Sequence, residues 1–210
     1  LQANIGLKQG HGFDVSANKE SVQRILSMYR EKGYRFATVE LRKGGDINDR
    51  DVIFVIEEGP MVKVWNIDIV GNQFVTKAIL KTKLSTKTVI LWMIGGKYDP
   101  DVIQSDVLAL RKYYTNLGFF DVKVEAVEEF SEDNGHVKVT FHVNEGQRFR
   151  VANIEAIGND VIASDQLMKS LELNEGDFFN ARFLREDVSA MKDQYNELGR
   201  LFASVDPVPH

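Results

Sequence analysis

Cysteine is absent from the chain's 210 residues. That removes disulfides, thiolate metal sites and cysteine nucleophiles. It suits the cytoplasm, or an oxidising compartment in which stray thiol pairing is avoided. Histidine is scarce as well. His11, His136, His142 and His210 are scattered, and none stands at an H-x-x-x-H or H-E-x-x-H spacing. No basic excess is present, since 26 Lys and Arg face 31 Asp and Glu for a net charge of -5. Nucleic acid is therefore not an expected partner, because a phosphate backbone asks for a positive face. Long apolar runs are also missing. The longest, 89–94 (VILWMI), falls far short of the ~20 residues of a spanning helix. Residues 1–10 carry no basic-then-apolar leader. A soluble piece of a longer protein is expected.

What is present is an ordinary globular composition, 43% apolar and 27% charged, arranged as an internal repeat. Residues 29–34 (YREKGY) match 114–119 (YTNLGF) and 195–199 (YNELG). In register ahead of them stand Val22, Val107 and Val188, then Ile25, Leu110 and Met191. Further back come Gly10, Gly95 and Gly176, Phe13, Tyr98 and Phe179, and Asp14, Asp99 and Asn180. A second block occurs twice. Phe54, Glu58 and Gly59 match Phe141, Glu145 and Gly146, while Val64, Ile67, Gly71 and Asn72 match Val151, Ile154, Gly158 and Asn159. A period this long points to a string of similar small units.

Each matched position has a physical reading. Asp14, Asp99 and Asn180 are suited to accept from free N–H groups at a helix start. Val22, Ile25 and Tyr29 have the i, i+3, i+7 spacing of one helix stripe, and so do their counterparts. Gly33, Gly118 and Gly199 stand just past the helix, where a left-handed residue closes the last turn. Alternation then marks strands at 37–42 and 122–127. Loops 43–46 and 132–135 turn the chain. Return strands at 52–56 and 137–143 are more continuously apolar, as a central strand should be. Strands at 62–70 and 149–157 and short helices at 76–84 and 163–171 complete the pattern.

The unit is thus β–α–α–β–β, and the fold class is α+β: tandem repeats, each a three-stranded mixed sheet on two antiparallel helices. The expected division is 1–60, a partial repeat lacking its first strand and helix, then 61–147, a complete repeat, then 148–210, which ends in its second strand near Val205. The joints 58–60 and 145–147 are too short for free linkers. Relative to the third repeat, the second carries six extra residues between Leu84 and Gly95.

The block 64–72 (VWNIDIVGN), the Tyr-x-x-x-Gly-aromatic helix end and the Val-Asn-Glu-Gly turn resemble the POTRA domains of BamA-type outer-membrane protein assembly factors. The resemblance covers essentially the whole chain. Repeat three departs by carrying Arg200 where the others have Tyr34 and Phe119. The resemblance implies a periplasmic arm, or one in the equivalent plastid space, tethered by a membrane barrel outside these residues. It implies unfolded outer-membrane β-barrel proteins, accessory assembly proteins and periplasmic chaperones as partners. Related POTRA arms serve two-partner secretion or organelle import, and a structural cell-division scaffold is a further alternative.

Chemistry is otherwise sparse. The pairs Glu57/Glu58, Glu128/Glu129 and Asp99/Asp101 read as solvated charges of turns or caps. Gly95, Gly96 and Lys97 lack the full phosphate-loop pattern. No catalytic residue, metal ligand or cofactor is expected, and no enzymatic activity. A mechanism for polypeptide binding does exist. With the return strand central, the second strand of each repeat is an edge whose free N–H and C=O groups accept an added strand. In repeat two these residues are Val122, Lys123, Val124, Glu125, Ala126 and Val127, beside a groove against the helix ending at Tyr114. In repeat one they are Ala37, Thr38, Val39 and Glu40, continuing to Arg42. The competing reading is that Lys123, Glu125, Glu40 and Arg42 blunt the edge against aggregation. The run Val89, Ile90, Leu91, Trp92, Met93 and Ile94 is the second candidate. It either lengthens a helix and packs against repeat one or exposes a patch for a partner or a membrane surface, anchored by Trp92.

Overall fold

A computed structural model describes residues 14–89 and 96–208. The chain divides into two compact units. One comprises Leu1–Val70, Lys77–Val107 and Glu125–His142, and the other comprises Gly71–Thr76, Leu108–Val124 and Val143–His210. The division runs through three elements introduced below, a helix and two strands.

The first unit opens with α1 (Val15–Glu31), β1 (Thr38–Lys43) and β2 (Ile53–Glu57). Asp14 starts the helix by accepting from the N–H groups of Ser16 at 2.8 Å and Ala17 at 3.1 Å. Strands β1 and β2 pair antiparallel, Thr38 against Glu57 and Leu41 against Phe54. Ile25, Tyr29 and Ala37 form the buried cluster, with Met28, Tyr34, Val39, Phe54 and Ile56 packed on it. The apolar stripe foreseen on the helix thus meets the apolar side of a two-stranded sheet.

A three-stranded sheet follows, built from β3 (Lys63–Val70), β4 (Lys123–Phe130) and β5 (His136–Asn144), in the order β3-β5-β4. β3 and β5 run parallel, from Val64 against Val137 to Val70 against His142. The short connection 131–135 joins β4 to β5, and so short a link admits only antiparallel neighbours. The sheet is therefore mixed, with the return strand in the middle. Val137, Val139, Phe141 and Val143 are buried on one face of this strand, and Thr140 is buried on the other. A register shift between Val64 and Asn66 leaves Trp65 as an extra residue in β3, 54% exposed. Helices α2 (Lys77–Lys81) and α3 (Pro100–Asn116) lie between β3 and β4 in sequence. Asp99 caps α3, and Pro100 suits its first position. The stripe Ile103, Val107, Leu110 and Tyr114 is buried.

The second unit holds the end of α3 together with α4 (Ser164–Met168) and α5 (Ala181–Glu197). Asn180 caps α5 through the Arg182 N–H at 2.9 Å.

The three helix ends are closed in one way. Gly33, Gly118 and Gly199 all have positive φ, at 95°, 93° and 74°. The next N–H reaches back to the repeat tyrosine: Tyr34 to Tyr29 O, Phe119 to Tyr114 O and Arg200 to Tyr195 O. This is the hydrogen-bond closure for which glycine costs least.

Several sequence expectations need correction. Residues 149–157 form no strand beyond an isolated bridge between Arg150 and Phe178. Residues 203–208 likewise form none, so the second strand expected near Val205 is not there. Residues 149–151 pair only with 176–179, by way of Val151 with Asp177 and Phe179 with Phe149, and the described residues contain no third return strand to extend either segment into a ladder. The short helices expected at 76–84 and 163–171 shrink to α2 and α4, as each last turn opens into irregular chain. Glu128 and Glu129 belong to β4 rather than to a turn, and Glu57 to β2.

Candidate functional site

Strand β4 has β5 on one side and, among the described residues, no strand on the other. Its burial alternates, with Val124 buried, Ala126, Glu128 and Phe130 half-buried, and Lys123, Glu125, Val127 and Glu129 exposed. The outer edge thus offers main-chain groups flanked by two charges of opposite sign and by Val127, which is 43% exposed.

The opposite margin of the sheet is occupied at its start. The Val64 N–H donates to Gly96 O at 2.5 Å, the Val89 N–H donates to Val64 O at 2.8 Å, and the Tyr98 N–H donates to Val62 O at 3.2 Å. These rungs consume the groups that would otherwise pair with an incoming strand. Of the sheet's two margins, β4 is the one left open along its length.

The far end of β4 is anchored. The Tyr98 hydroxyl donates to a Glu128 carboxylate oxygen at 2.7 Å. Burial, then that carboxylate, pushes the Tyr98 hydroxyl up to about 12. The Phe130 ring meets Tyr98 edge-on at 5.7 Å and Phe36 at 5.2 Å. Lys138 on β5 pairs with Glu129 at 3.0 Å.

The residues singled out in the sequence are placed as follows. Lys123 to Val127 lie in β4, and Val122, buried, immediately precedes it. Tyr114, at the end of the helix, is fully buried. Thr38, Val39 and Glu40 lie in β1, preceded by the buried Ala37, and among the described residues β1 also has a single partner strand. Arg42 sits 3.7 Å from Glu40 on this strand. Val89 joins the β3 margin, whereas Ile90, Leu91, Trp92, Met93 and Ile94 lie outside the described residues. His142 is an exposed residue of β5.

Two recurring contacts escaped sequence reasoning. The Tyr29 hydroxyl donates to Glu58 at 2.8 Å, and the Tyr114 hydroxyl donates to Glu145 at 2.8 Å. Glu145 also accepts from the N–H groups of Gln73 and Phe74. Both tyrosines are held above the usual range, Tyr29 first by the Glu58 bond and Tyr114 first by burial. The repeat alignment already paired Glu58 with Glu145, and that recurrence was the signal. The second contact is a buried aspartate. Asp106 accepts from the N–H groups of Ser85 and Thr86, and Asp187 from those of Glu172 and Leu173.

A cleft of about 440 Å³ lies over Gly71, Gln73, Val143, Asn144, Glu145 and Gly146. Its one carboxylate is already committed to three donors. Among the described residues no group of three His, Cys, Asp or Glu could hold a metal ion. No described helix is long and apolar enough to cross a membrane.

Comparison with known proteins agrees with the repeat. A family profile described as POTRA, surface antigen variable number repeat, matches residues 1–59, 62–146 and 149–210. The outer membrane protein assembly factor BamA of Neorickettsia risticii is 27% identical over 94% of this chain and 27% of its own length. BamA of Nitratidesulfovibrio vulgaris is 24% identical over 98% of this chain and 27% of its own length. The crystal structure of POTRA domains 3–5 of Haemophilus influenzae BamA aligns with TM-score 0.47 at 22% identity, over 90% of this chain and 72% of that one. The chain spans about a quarter of the length of the curated relatives it matches. With the profile matched three times across nearly all of its residues, the chain belongs to the POTRA family.

Proposed function

We propose that this chain is a polypeptide-binding scaffold within the periplasmic arm of an outer-membrane protein assembly machine, and that it receives extended segments of unfolded barrel proteins along β4. The observation that carries the reading is the one-sided pairing of β4 in the order β3-β5-β4, together with the rungs that occupy the start of the β3 margin. A client strand added at β4 satisfies main-chain donors and acceptors whatever its sequence, which suits a receptor for many different barrels. Lys123, Glu125 and Glu129 keep the edge from pairing with a second copy in the meantime. β1, among the described residues also paired on one side only, is the second receiving edge.

The division into repeats at 1–60, 61–147 and 148–210 fits this role, supported by the threefold profile match and by the recurring Tyr–Glu and Asp contacts. Accessory subunits dock on the same arm. The segment 89–94, with Trp92, belongs to that docking reading on its composition alone. The role is binding and handover, without turnover, and the expected affinity is weak, on the order of 0.1–1 mM.

Titration of the isotope-labelled chain with a synthetic barrel-strand peptide tests the reading. The amide signals of residues 122–127 are expected to move first, and those of 38–43 with them or next. Movement confined to other surfaces removes the proposal.

A further inference from the structure

One cluster in the second unit is not used by the edge. Arg148 lies half-buried, its guanidinium 4.7 Å from the Phe74 ring centre and 4.5 Å from that of Phe178. Both rings are substantially exposed, Phe74 at 51% and Phe178 at 39%. The Arg148 Nε donates to Leu117 O at 2.8 Å, which fixes the plane of the group. Among the described residues its two terminal nitrogens meet no acceptor. A second guanidinium, Arg150, stands 3.7 Å over the same Phe178 ring and donates one terminal nitrogen to Gly176 O.

Two cations share this place, and among the described residues neither forms an ion pair. Glu145, three residues from Arg148, is committed to Gln73, Phe74 and Tyr114. Asp177, beside Phe178, accepts from Asn174. Burial and the charge of Arg150 together hold Arg148 below its ordinary value, with no acid opposing them. Packing alone does not demand arginine here, because the repeat register puts Met61 at the position of Arg148.

A planar donor group held in place by a carbonyl and two rings, with its outer nitrogens free, matches a carboxylate in shape and charge. Exposed phenylalanine beside arginine is also the composition of interface anchors. The geometry points to a docking site for an acidic segment of a partner protein, in which an aspartate or glutamate side chain reaches Arg148 and Arg150 while a neighbouring apolar residue covers Phe74 and Phe178. An anionic membrane surface fits less well. Membrane attraction calls for clusters of about 4–8 basic residues, and this chain carries a net charge of -5.

The test uses the whole 210-residue chain with ¹⁵N-labelled arginine. The probe is a synthetic peptide alternating glutamate and phenylalanine, and a second peptide replaces each glutamate with lysine. The acidic peptide is expected to shift the Arg148 and Arg150 Nε signals, and the lysine peptide is expected to leave them unmoved. Arg150→Gln, at an exposed position, should weaken binding about tenfold with an unchanged circular dichroism spectrum. Arg148→Met supplies the second variant, with the same loss expected. Equal shifts from both peptides, undiminished affinity in Arg150→Gln, or arginine-dependent binding to phosphatidylglycerol vesicles without peptide binding would each overturn the proposal.

Discussion

The Tyr–Glu contact occurs twice in different surroundings, and this makes its strength predictable. Tyr114 is fully buried and its hydroxyl meets Glu145 at 2.8 Å. Tyr29 is 8% exposed and meets an exposed Glu58 at the same distance. In Glu145→Ala the buried phenol loses its carboxylate acceptor, while the N–H groups of the exposed Gln73 and Phe74 turn to water. A buried donor left without an acceptor costs about 1–3 kcal/mol, and a bond to a charged group contributes about 1.5–3 kcal/mol. The coupling from a Tyr114→Phe/Glu145→Ala cycle should therefore be about 2 kcal/mol. At Tyr29→Phe/Glu58→Ala solvent reaches the carboxylate, and the coupling should fall to about 0.5 kcal/mol. Urea denaturation of the four singles, two doubles and parent, extrapolated linearly, reads both values. Equal couplings at the two sites, or one below about 0.5 kcal/mol at Tyr114, would refute the claim that burial sets the strength of this contact.

Other perturbations test the surrounding framework. Asp106→Ala leaves the buried Thr86 N–H without its acceptor and should cost about 2–4 kcal/mol, seen as a melting temperature several degrees lower; Asp187→Ala should act in the same direction through Leu173. The Tyr98 hydroxyl is raised from 10.0 to about 12, so its stabilisation is complete below pH 10 and disappears as pH climbs toward 12. Alkaline unfolding followed by circular dichroism should accordingly be shallower in Tyr98→Phe than in the parent across that interval.

The repeat was legible because its physics is local. Helix caps at Asp14, Asp99 and Asn180, closure at Gly33, Gly118 and Gly199, and the stripe ending at Tyr114 need only near neighbours in sequence. The central position of the return strand was legible in repeat one, where residues 52–56 (VIFVI) run apolar without a break; in β5 polar residues alternate with the buried Val137, Val139, Phe141 and Val143, and its place in the middle comes from the pairing. Long-range polar partners were not legible. Asp106 sits among helix residues and reads as a solvated charge until the 85–86 backbone is brought to it. Glu145 looks like a turn acid until Tyr114 is placed against it. Residues 149–157 failed as a strand for the opposite reason. The match to 62–70 predicted a strand there, but only 149–151 find backbone partners, at 176–179, and no strand runs alongside the rest among the described residues. The edge at β4 was foreseen from order alone, whereas the occupation of the β3 margin by Val89, Gly96 and Tyr98 depends on tertiary geometry that no period reveals.

Main-chain addition at β4 is tested most directly by removing donors from the client while keeping its side chains. A barrel-strand peptide and the same peptide methylated at alternate amide nitrogens should be compared for affinity by isothermal titration. Binding by the first and a loss of about tenfold or more in the second is the predicted result. Equal affinity of the two peptides would contradict it, because side chains and not backbone would then carry the interaction.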